Sequence, residues 1–72
     1  METGYLEIRF GVVAVKKGFV TPDQIVNAMG VQVAEDLQSG IHRPLGTILL
    51  EQELITARQL QEVLRHLENY KK

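Results

Sequence analysis

Seventy-two residues make one domain, near the size at which a single hydrophobic core is marginal without disulfides, metal or a partner subunit. A hydrophobic fraction of 44% excludes a disordered chain, and 24% charged residues with a net charge of −1 give no global field to draw nucleic acid, so any basic site must be local. Without cysteine there is no disulfide framework or thiolate metal site, and without a signal-like N-terminus or an apolar stretch of membrane-spanning length the expectation is a soluble, cytoplasmic protein.

In chain order, residues 1–8, with Tyr5, Leu6 and Ile8, read as an N-terminal arm, extended or mobile. A first short helix follows from about Phe10 to Lys17. Lys16 and Lys17 suit the negative end of its dipole, and Gly18 can take the left-handed conformation that stops it. Thr21-Pro22-Asp23-Gln24 then opens a second helix with an N-cap, a proline in the first turn, an early acid and a T-x-x-Q capping box. That helix runs to about Ser39, with Ile25, Ala28, Met29, Val33 and Leu37 read as one side of it. Gly30 interrupts the stripe at a cost of about 1 kcal/mol relative to alanine, which fits either close approach of another backbone or simple tolerance.

Residues 40–44, bracketed by Gly40 and Pro44, form a linker, and a second short helix begins near Leu45. Thr56-Ala57-Arg58-Gln59 is another capping box, and its helix carries Leu60, Val63, Leu64 and Leu67 at i, i+3, i+4 and i+7, the spacing of a core-facing stripe.

The two halves repeat each other at an offset of 35 residues. Gly11 meets Gly46, Thr21 meets Thr56 and Gln24 meets Gln59, while apolar residues pair at Phe10/Leu45, Val13/Ile48, Ala14/Leu49, Val15/Leu50, Phe19/Leu54, Val20/Ile55, Ile25/Leu60 and Met29/Leu64. The expected fold is therefore all-α, with four helices in the order short-long-short-long. They form two tandem helical hairpins, residues 9–39 and 45–72, related by pseudo-twofold symmetry within one domain of residues 1–72.

Both short helices follow an arginine and contain an early glycine: Arg9-Phe10-Gly11 in one half, Arg43-Pro44-Leu45-Gly46 in the other. Uncovered amides at a helix start, a positive dipole end and a guanidinium are the ingredients of an anion site. Catalysis has no comparable signature. His42 and His66 are the only histidines and Ser39 the only serine, with no nucleophile–base pair or metal spacing among them; Glu62 and His66 read as a helix-stabilising pair. The second helices carry more acid than base, contrary to what a major-groove helix needs, so DNA is not an expected partner.

The segment Arg9 to Gln32, "RFGVVAVKKGFVTPDQIVNAMGVQ", resembles the motif R-L-G-x-x-L-V-x-x-G-L-I-x-x-x-x-L-x-x-x-L-x-x-Q of the MshE-type N-terminal domain of type II secretion and type IV pilus assembly ATPases. Arg9, Gly11, Val15, Gly18 and Gln32 match outright. In that family two such motifs in tandem bind cyclic di-GMP. The resemblance implies polar contacts from Arg9 and Gln32, close approach of the Phe10-Gly11 backbone, and an apolar wall from Phe19 and Val20, with Arg43, Leu45 and Gly46 as the second-half candidates. In the second copy the arginine position is Pro44, the internal glycine is Glu53 and the final glutamine is Leu67, and no phosphate-binding loop of an ATPase occurs anywhere in the chain. The expectation is a non-catalytic helical module that docks a protein partner or itself and needs no cofactor. The alternative is a sensor that binds cyclic di-GMP through the first motif.

Overall fold

The computed structural model describes the backbone of residues 2–70 and the side chains of residues 7–68. Four helices and no strand occur among the described residues: α1 Glu2–Lys16, α2 Pro22–Ser39, α3 Leu45–Glu51 and α4 Ala57–Tyr70. The all-α expectation holds, with one correction of lengths. α1 has 15 residues and begins at Glu2, so the stretch 2–8, expected as an extended or mobile arm, is helix, and the order is long-long-short-long. ETGYLEIRF holds no proline, its one glycine, Gly4, lowers helix propensity without ending the helix, and Glu7 is anchored from within it.

The expected stop and start signals work in both halves. Gly18 has φ 80° and ends α1 with Phe19 N–H donating to Ala14 O at 3.0 Å and Gly18 N–H to Val15 O at 2.9 Å, the paired bonds of a Schellman motif. Thirty-five residues on, Leu54 N–H donates to Leu49 O and Glu53 N–H to Leu50 O, each at 3.0 Å, and Glu53 takes φ 61°. Both capping boxes are closed: Gln24 N–H donates to Thr21 Oγ1 at 3.2 Å and Gln59 N–H to Thr56 Oγ1 at 3.1 Å, and each glutamine side chain accepts the threonine's own N–H.

Packing runs crosswise. α1 makes its heaviest contacts with α4, and α2 with α3, while among the described residues no Cα of α2 comes within 8 Å of one of α4. Each first helix thus lies mainly against the second helix of the other half, because a single hairpin offers too little apolar surface to close on itself. The core follows the repeat in part: Phe10 and Leu45, Val13 and Ile48, Ala14 and Leu49, Val20 and Ile55, and Ala28 and Val63 are all buried, whereas Ile25 is buried and Leu60 half-buried, and Leu50 and Leu64 are exposed where Val15 and Met29 are half-buried.

Three expectations about faces need correction. On α2, Val33 and Leu37 are exposed, and Gln32 is buried with Ile25 and Ala28. At 100° per residue, positions 25, 28 and 32 share a face, whereas 33 and 37 lie a quarter-turn or more round with Val26. On α4, Val63 is buried but Leu64 is 45% exposed. Glu62 meets Lys17 Nζ at 3.3 Å, tying α4 to the end of α1 instead of pairing along its own helix with His66.

Candidate functional site

α3 opens at Leu45 behind Pro44, a residue with no N–H and, in this position, no side-chain cap. The missing acceptor arrives from another helix. Glu7 of α1, its side chain 11% exposed, places Oε1 where it accepts the Leu45 N–H at 3.1 Å. The same oxygen accepts from Gln32 Nε2 of α2, and Oε2 faces His42 Nε2 at 2.5 Å. A carboxylate at the positive end of α3 is the favourable sign for the helix dipole.

His42 bridges two acids. Its Nδ1 lies 3.2 and 3.1 Å from the two Asp36 carboxylate oxygens while Nε2 faces Glu7. Both ring nitrogens therefore confront groups that only accept, which the doubly protonated imidazolium satisfies and the neutral ring, with one N–H, does not. The hydrogen bond to Glu7 first, then that to Asp36, raises the His42 pKa above its ordinary 6.5.

Arg43 completes the cluster by forking onto Glu35, with Nε to Oε1 at 2.9 Å and Nη2 to Oε2 at 2.8 Å, and reaching Glu51 with Nη1 at 2.6 Å. The bidentate bond to Glu35 is the main reason its pKa is raised, and the same bond lowers that of Glu35. Gln32 Nε2 also donates to the Arg43 carbonyl at 2.9 Å, so the linker is held from both its side chains and its backbone.

The residues singled out from sequence are distributed as follows. Gln32 and Arg43 come together, but each is turned to a partner inside the chain. Phe10, Leu45 and Gly46 also meet, and with Leu60, Leu64 and Leu67 they border an apolar groove of about 540 Å³ between α1, the start of α3 and α4. Phe19 is half-buried against the core and Val20 is buried. Arg9 is half-buried on α1, two residues beyond Glu7.

One site expectation is overturned by the length of α1. Phe10 and Gly11 lie deep inside a helix that starts at Glu2, so their amides belong to its hydrogen-bond ladder and no helix start is available there for an anion. Gly11 and Gly46 serve packing instead. A Cβ at Gly11 would lie 3.0 Å from Ile25 Cγ2 and 3.6 Å from Leu45 Cδ2; one at Gly46 would lie 2.6 Å from Leu60 Cδ1 and 3.0 Å from Phe10 Cζ. These neighbours correspond under the 35-residue offset, since Ile25 pairs with Leu60 and Leu45 with Phe10.

Glu7, His42 and Asp36 escaped the sequence reading. The available signal was that Glu7 and His42 themselves stand 35 residues apart, an acid and a base at the same place in the repeat. Among the described residues no group of histidine and carboxylate side chains has the arrangement of a metal site, and no helix is long and apolar enough to cross a membrane. Comparison of the chain with protein families, with curated proteins and with solved structures finds no match.

Proposed function

We propose that this chain is a non-catalytic helical interaction module, similar in sequence motif to the N-terminal domain of secretion and pilus ATPases, that acts by docking a protein partner or a second copy of itself. The observation that carries this reading is the contrast between its polar and apolar surfaces. The start of α3 is filled by Glu7 and the Arg43 fork is filled by Glu35 and Glu51. A phosphate reaching that end would have to displace three of the protein's own carboxylates. Meanwhile Ile8, Val12, Val26, Val33, Leu37 and Ile41 stay 47% to 82% exposed, and Val26, Val33 and Leu37 among them share one side of α2.

The test has two arms. Calorimetric titration with cyclic di-GMP is expected to give no saturable heat. A photo-activatable side chain placed at Val33 in the native cell is expected to give protein adducts that the same group at Arg58 does not. Saturable heat together with an absence of adducts would replace this reading with that of a cyclic dinucleotide sensor.

A further inference from the structure

α2 carries a second apolar stripe that the fold leaves uncovered. Val26, Gly30, Val33 and Leu37 succeed one another at intervals of four, three and four residues, the a/d spacing of a helix built to pair with another helix. Val26, Val33 and Leu37 are 66%, 57% and 82% exposed, and a Cβ built on Gly30 would meet nothing within 4 Å. Ile25, Ala28 and Gln32 occupy the inner face, so α2 is apolar on two sides and the fold uses one. The flanking Asn27 and Ala34 are uncharged as well.

The spacing is symmetric about a point between residues 31 and 32. A second α2 turned end for end about that point sets Val26 against Leu37 and Gly30 against Val33, each contact occurring twice. The next positions of the same spacing are Asp23 and the C-cap Gly40, so the apolar strip ends at Val26 and Leu37. Gly30 leaves room for Val33 and Val26 meets Leu37, so the strip is apolar against its own copy at each position, the self-complementarity that a twofold contact requires. A parallel arrangement would set Gly30 on Gly30, leaving a gap, and would align the two helix dipoles where the antiparallel one opposes them.

We infer that the outer face of α2 pairs with a second copy of this chain as an antiparallel helix pair, a step that rests on the interaction-module reading above. The size of the patch says what kind of pair. Aliphatic side chains present roughly 60–120 Å² of apolar surface each, so two copies of this strip, with its three partly exposed side chains, hide on the order of 400 Å² of it and about 700 Å² in all. Stable complexes bury about 1,200–2,000 Å². The dimer is therefore weak and concentration-dependent, not obligate.

Sedimentation of the full chain over a series reaching millimolar concentration tests it, with a reversible shift from monomer to dimer expected. Leu37→Asp, at a position too exposed to disturb folding, is expected to raise the dissociation constant about tenfold or more. Gly30→Ala separates pairing from folding: it adds helix propensity where there is open space, so the monomer's thermal midpoint rises while association weakens. In a mixture of Val26→Cys and Leu37→Cys chains, which otherwise have no cysteine, the mixed disulfide is expected to form faster than either like pair. A single monomeric species at every concentration, association untouched by Leu37→Asp, or equal cross-linking from Arg58→Cys would each overturn the inference. Adducts at Val33 whose mass is not twice that of the chain would also overturn self-pairing while leaving the docking reading in place, whereas an absence of adducts would remove the docking reading itself.

Discussion

Among the described residues Glu53 is the only one other than glycine with positive φ, at 61°. It stands where the first half has Gly18, and it adds a carboxylate close to the negative end of α3. The left-handed conformation costs a side chain about 1–2 kcal/mol, partly offset because glycine would lose more chain entropy on folding. Glu53→Gly is accordingly expected to stabilise the protein by about 1 kcal/mol, a rise of roughly 4–8 °C in thermal midpoint for a domain of this size. An unchanged or lower midpoint would mean that the turn is held by its backbone bonds without strain. The sequence already marked this position, because the Schellman turn is written in local residues. Glu7 was not marked: its role depends on which distant helix start lies beside it, and no local pattern encodes that.

At the level of the helices, the two small residues that let them approach are unequal. Gly46 faces the tighter space of the two, with both Leu60 and the buried Phe10 ring in the way of a Cβ; Gly11 faces mainly one branch of Ile25. Overpacking costs about 1–3 kcal/mol, and replacing glycine by alanine inside a helix returns about 1 kcal/mol of propensity. Gly11 is well inside α1 and collects that return, whereas Gly46 is in the first turn of α3 and collects little. Urea unfolding is expected to find Gly46→Ala destabilised by about 1–3 kcal/mol and Gly11→Ala close to neutral; equal effects would contradict the packing described. Helix starts, stops and the 35-residue repeat were legible because caps and turns are short-range. The beginning of α1 was not, since ETGYLEIRF has no cap of its own, and the α2 stripe was drawn too wide because Ile25, Val33 and Leu37 are all apolar while only rotation about the axis separates them.

For the molecule as a whole, three elements converge on the linker: Glu7 from α1, Asp36 from α2 and, through Arg43, Glu51 from α3. This gives stability a pH profile with two shoulders. The His42 pKa is raised on folding, so its contribution is complete below the ordinary 6.5 and fades as pH climbs through the higher folded value. That of Glu35 is lowered, chiefly by the hydrogen bond from Arg43, so its contribution is complete above the ordinary 4.5 and fades as pH falls through the lower folded value. Thermal midpoints measured against pH are expected to be highest between these two ordinary values, and His42→Ala is expected to remove the alkaline shoulder alone. A profile in which wild type and His42→Ala decline in parallel above neutrality would exclude the bridge. The crosswise packing of α1 on α4 and α2 on α3 has one last consequence. A nick between Gly40 and Ile41 would not release two independent lobes, because each fragment holds the surface that the other must cover; the severed chain should behave as a bimolecular complex whose survival depends on dilution, with neither peptide able to fold in isolation.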